Sequence, residues 1–163
     1  MRVIGIDPGT ATTGFGLVEE TRNGDLSVVA YGVITTPAKT PMSERLLLLY
    51  QKLNEILTLH QPNLAAVEKL FFQKNVKTAI SVAQGRGVAI LSLANAGLSV
   101  GEYTPLEIKQ AVAGYGKADK NQVQQMVRLL LRLDDIPRPD DAADALAVAI
   151  CHLHSMRSQP WLD

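Results

Sequence analysis

Four acidic residues, Asp7, Glu68, Asp141 and Asp144, are the side chains in this sequence best suited to chemistry. Asp7 closes the apolar run Val3-Ile4-Gly5-Ile6 and is followed by Pro8-Gly9, a pair that stops a strand. Glu68 closes Leu64-Ala65-Ala66-Val67 in the same way. Asp141 and Asp144 are spaced to share one face of a helix, and the rest of that helix is Ala, Leu, Val and Ile. Such a helix is largely buried, and acids buried with no positive partner are costly. Acids in a first helical turn also complement the helix dipole. That alternative suits Asp140 or Asp141, but it explains Asp144 poorly because Asp144 lies deeper in the apolar run. Carboxylates without His or Cys among them suit Mg²⁺ or Mn²⁺ rather than zinc. Two such ions roughly 4 Å apart can activate a water and stabilise the leaving oxygen of a phosphodiester. The pattern therefore points to phosphoryl chemistry. His152 and His154 read as tail or surface residues, and Cys151 reads as core.

The elements that must position these acids follow from patterning. Arg2–Asp7, Phe15–Glu20 and Leu26–Thr35 read as three antiparallel strands, the last two joined through the hairpin signal Asn23-Gly24. Ser43 is the expected N-cap of a helix running to about His60, with Leu46, Leu49, Tyr50, Leu53, Ile56 and Leu57 on its buried face. Leu64–Glu68 is a short buried strand, followed by a helix from Val76 to about Ala96 that closes at Gly97. Leu98–Tyr103 is a fifth strand. Thr104-Pro105-Leu106-Glu107 is a capping box with proline at the first helical position, and Asp119 with Gln122 repeats the cap for a helix reaching about Leu133. Pro137 and Pro139 break that helix, and a last one spans about Asp140 to His154. Strands first as a meander, then alternating with helices, give an α/β fold: a five-stranded mixed sheet with helices on both faces. If the first and fourth strands are neighbours, Asp7 and Glu68 face each other.

The chain has 163 residues, 47% of them hydrophobic and 20% charged, the size of one domain with a real core. Residues 1–156 are expected to form that domain and 157–163 a C-terminal tail. No apolar stretch approaches the roughly 20 residues of a membrane span. The start lacks the features of a secretory signal, and the single cysteine fits a reducing, cytoplasmic setting. Net charge is zero, yet Lys69 to Lys120 holds seven basic residues (Lys69, Lys74, Lys77, Arg86, Lys109, Lys117, Lys120) against three acidic ones. Lys74, Lys77, Arg86 and Lys117 are candidate DNA contacts, with solvated surface lysine as the alternative. Phe71 and Phe72 follow the Glu68 strand and precede Gln73-Lys74-Asn75, an address suited to stacking on or wedging between bases. Core packing is the alternative for at least one of them.

Four stretches taken in order resemble a known family. Ile4-Gly5-Ile6-Asp7-Pro8-Gly9-Thr10 with Gly14-Phe15-Gly16, Val67-Glu68-Lys69-Leu70-Phe71-Phe72, Gln84-Gly85-Arg86-Gly87-Val88, and Asp141-Ala142-Ala143-Asp144-Ala145-Leu146-Ala147 are similar to the signatures of RuvC-type Holliday junction resolvases. The resemblance implies a ribonuclease-H-like fold, two Mg²⁺ per site with Mn²⁺ as a substitute, and a homodimer making paired nicks in four-way junction DNA during recombination and repair. It implies work beside the RuvA and RuvB branch-migration proteins. It also implies that Asp7, Glu68, Asp141 and Asp144 are catalytic metal ligands, that Lys109 and Lys120 assist cleavage, and that Phe71 lies near the junction centre. Three other readings compete: a YqgF-type nuclease of the same fold acting on RNA, a kinase of the actin-like superfamily suggested by Asp7-Pro8-Gly9-Thr10, and a non-catalytic junction-binding module. The kinase needs two lobes, for which the length is insufficient, and the intact set of acids counts against a dead module.

Overall fold

The structure, a computed structural model, describes residues 1–69 and 76–158. Phe71, Phe72 and Lys74 lie outside them. The strands are β1 (Arg2–Asp7), β2 (Thr12–Glu20), β3 (Leu26–Thr35), β4 (Leu64–Glu68) and β5 (Val100–Tyr103). The helices are α1 (Met42–His60), α2 (Val76–Asn95), α3 (Pro105–Ala113), α4 (Lys120–Leu130) and α5 (Asp140–Ser158).

The five strands form one sheet in the order β3-β2-β1-β4-β5. β1 pairs antiparallel with β2 and parallel with β4, and β4 pairs parallel with β5. The expected mixed sheet is therefore present, and β1 and β4 are neighbours with Ile6 opposite Val67. Side chains alternate across a strand, which sorts the core into two layers. Ile4, Ile6, Ala65 and Val67 pack with Leu49 and Leu53 of α1 and Ala89 and Leu93 of α2. Val3 and Ala66 face the opposite way, toward α3, α4 and α5. By the same alternation Asp7 and Glu68 point to the α5 side.

β5 starts at Val100 rather than Leu98, and α4 ends at Leu130 rather than about Leu133; three other boundaries differ from the sequence expectation for a physical reason. β2 starts at Thr12 rather than Phe15, because Thr13 is buried and its hydroxyl donates to the Gly9 carbonyl at 2.6 Å, drawing the strand back to the turn. α1 begins at Met42 behind Pro41 with no side-chain cap, so Ser43 lies inside the helix rather than capping it. α5 continues past residue 156 to Ser158. Arg157 pairs with Glu20 and donates to the Gly24 carbonyl at 2.6 Å, while the Ser158 hydroxyl donates to the His154 carbonyl at 3.0 Å. The two capping boxes, Thr104 with Glu107 and Asp119 with Gln122, both form. Cys151 is buried as expected. His152 is not a surface residue: it is buried against Tyr103 at 2.8 Å, while His154 is half-buried, with a ring nitrogen 2.9 Å from the Ala111 carbonyl. Among the described residues no helix is long and apolar enough to cross a membrane.

Candidate metal centre

The acids meet because α5 lies unusually close to β1 and β2. A Cβ on Gly5 would overlap the Ala145 carbonyl oxygen, and one on Gly14 would overlap the Asp141 carbonyl oxygen. Only glycine permits that approach. It brings the first turns of α5 over the end of β1, so that one carboxylate oxygen each from Asp7, Asp141 and Asp144 can lie within 4.8 Å of one another. Glu68 is set beside Asp7 by the strand register, close enough for each carboxyl to shift the other.

The electrostatics show what would stabilise such a cluster. Burial first, then repulsion from Glu68, Asp144 and Asp141, pushes the Asp7 carboxyl up to about 8. Burial and Asp144 raise Glu68, opposed by its bond to Asp7 and by Lys109. Burial raises Asp144 as well, and the nearby Lys120 opposes it. Carboxylates that resist ionisation together are stabilised as anions by a cation among them. The donor set is all hard oxygen, which fits a divalent metal of the Mg²⁺ class and offers nothing to a thiophilic one. Among the described residues, His152, His154 and Cys151 stand outside the cluster of candidate ligands.

A cleft of about 260 Å³ opens beside the acids, lined by Glu68, Asp144, Lys109, Lys120, Pro105 and Ile108 among others. Lys109 and Lys120, expected at the site, are both there. Lys120 sits 3.0 Å from Asp140 and 3.9 Å from Asp144. Asp140 is thus the closer partner. It is also held by Gln124 and Arg138, each at 3.2 Å, so it fixes the lysine that faces Asp144. Sequence reading gave Asp140 only a helix-dipole role. The one available signal was its place at the start of α5, with Lys120 at the start of the preceding helix. Lys117 is exposed on the loop before α4 and Lys77 is exposed in the first turn of α2. Arg86 is elsewhere engaged, in an ion pair with Glu102.

The model for the family "Crossover junction endodeoxyribonuclease RuvC" matches residues 3–152. The chain belongs to the RuvC family. A RuvC of Chloroflexus aurantiacus is 61% identical over 155 residues, covering 95% of this chain and 94% of the relative. A RuvC of Caldanaerobacter subterraneus is 56% identical over 155 residues, covering 95% of this chain and 93% of the relative. Among solved structures, RuvC of Thermus thermophilus superposes with a TM-score of 0.89 at 36% identity, covering 96% of both chains. The same protein in complex with a Holliday junction substrate gives 0.88 at 33% identity, again with 96% of both chains covered. The fold is therefore that of RuvC, ribonuclease-H-like, as the sequence patterning and resemblance led one to expect.

Proposed function

We propose that this chain resolves four-way DNA junctions as a metal-dependent endonuclease, with Asp7, Glu68, Asp141 and Asp144 as its catalytic metal ligands. The observation that carries the reading is the convergence of acids from β1, β4 and α5 on one cleft in a member of the RuvC family. The donor set supports Mg²⁺, two ions per site, with Mn²⁺ able to replace it. Bound there, the metal would activate a water and stabilise the leaving oxygen of the phosphodiester. The protein's own contribution is to orient that ion-binding set and to line the cleft with positive charge. Lys120, held by Asp140, and Lys109, next to Glu68, line the cleft and would face the scissile phosphate there. Lys117 and Lys77 would bind backbone phosphates farther out, and Phe71, Phe72 and Lys74 would meet the junction itself.

A junction with two-fold symmetry is matched by a two-fold dimer with one site per chain. Support for a dimer through α2 comes from its outer stripe, where Val76, Ile80 and Leu91 are 75%, 58% and 56% exposed and Ala83, Gly87 and Ala94 fill the spaces between. Large aliphatic side chains aligned on one exposed helix face are what an interface core needs. Residues 1–156 would then act as a single nuclease domain in the cytoplasm, working with RuvA and RuvB. The test is incubation of labelled four-way junction, linear duplex and RNA, each with Mg²⁺ and with chelator. Paired nicks in the junction alone, and only with metal, are expected. Cleavage of RNA in preference to the junction would overturn the assignment.

A further inference from the structure

Arg86 has the composition of a DNA contact and the surroundings of something else. It projects from the middle of α2 onto the sheet face opposite the acids, and its side chain is only 20% exposed. One arm of the guanidinium pairs with the Glu102 carboxylate on β5, and Nε donates to the main-chain carbonyl of Glu68 on β4 at 3.5 Å. Glu102 lies opposite Val67 in the parallel register, one residue before the position opposite Glu68. The planar fork of an arginine can span two strands in this way, which the single ammonium of a lysine cannot. Arg86 therefore reaches the main chain of the last residue of β4 from behind through a long hydrogen bond, while the Glu68 carboxylate emerges on the other side toward α5.

The same segment of α2 also holds the turn after Asp7. The Thr10 hydroxyl bonds the Ser81 carbonyl, and a Cβ on Gly85 would come within 2.7 Å of the Gly9 carbonyl oxygen. One turn and a half of helix thus braces both strand ends that carry acids. A guanidinium already neutralised by Glu102 would have to abandon that ion pair to meet a phosphate.

We infer that Arg86, clasped by Glu102, is a positioning residue that sets the Glu68 carboxylate in the metal site through its main chain, and is not a DNA contact. This rests on the reading of Glu68 as a metal ligand. Three variants test it: Arg86→Ala, Arg86→Lys and Glu102→Ala. Glu102 is 42% exposed at its side chain, so its removal is compatible with folding. Each variant is expected to lower the turnover of bound junction and weaken Mn²⁺ binding, read by titration calorimetry without DNA, by about tenfold or more. Junction affinity in the presence of chelator should stay within about twofold and its salt dependence should not change. Partial recovery in Arg86→Lys relative to Arg86→Ala would follow from the surviving ion pair with Glu102.

The opposite pattern overturns the inference. If Arg86 meets a phosphate, Arg86→Ala reduces the salt slope by about one and Glu102→Ala tightens junction binding by releasing a cation. Unchanged Mn²⁺ affinity in both Arg86→Ala and Glu102→Ala would overturn it equally. Failure of the unmodified protein to cut a junction would defeat the proposed function instead, while the Mn²⁺ isotherms would still decide whether Arg86 positions Glu68.

Discussion

Asp7 is the residue on which the centre turns, since it feels the charge of Glu68, Asp141 and Asp144 alike. Asp7→Asn keeps the shape and removes the charge. Changes to groups that merely orient metal ligands cost about 10–100-fold, so loss of a ligand should lower junction cleavage by about 100-fold or more. Binding rests on phosphate contacts elsewhere and should hold within a few-fold in a gel-shift titration. The same substitution has an opposite effect on the metal-free protein. Folding raises the Asp7 pKa from 3.8 to about 8, so the native state holds a proton more tightly than the unfolded chain. Its contribution to stability is complete below about pH 4 and is lost as the pH climbs through 8, and the raised Glu68 and Asp144 act in the same direction. In chelator at pH 8, Asp7→Asn should therefore melt above the parent. A gain of about 1 kcal/mol would be roughly 2–4 °C for a chain of this size. The gain should shrink toward pH 4, and saturating Mg²⁺ should reverse the order, because only the parent binds the metal tightly. Calorimetric scans across that range check both signs.

At the scale of elements, the contact between α5 and the β1–β2 pair decides where the acids stand. Gly14→Ala forces a Cβ into the Asp141 main chain, which cannot move without lifting the start of α5. Overpacking of this kind costs about 1–3 kcal/mol, and here the displaced atoms belong to a proposed metal ligand. Loss of stability with a larger proportional loss of Mn²⁺ affinity is expected, read by urea melts beside metal titration. This seam also shows what was legible in advance. Asp7 and Glu68 could be found because each ends an apolar run of strand length, and Asp141 with Asp144 because polar residues interrupt an otherwise apolar helix. Both capping boxes were equally plain, since cap and partner lie three residues apart. The Asp140–Lys120 link and the Arg86–Glu102 clasp were not, because ion pairs between separate elements depend on the path of the chain through space and leave no spacing to read. Gly14, just outside the strand expected from Phe15, instead lies within β2, where the nearness of α5 explains it.

For the whole molecule, the exposed stripe of α2 gives a test of assembly that leaves the fold alone. Nothing lies within 4 Å of a Cβ built on Gly87, so Gly87→Glu places a charge on the stripe without a clash. Exchanging glycine for glutamate inside a helix favours the helix by up to about 1 kcal/mol. Sedimentation should show a weakened dimer, and paired nicking should decline while the monomer melts no lower than the parent. The site also draws on residues near both ends of the described chain, Asp7 in β1 and Asp141 with Asp144 in α5. During synthesis at about 5–20 residues per second, the first acid is made several seconds before the last two. A nascent or truncated chain that lacks a docked α5 carries half of its acids and no cutting centre. Hydrolytic capacity therefore arrives with the closing step of folding, and fragments of this nuclease should be harmless to the genome that encodes it.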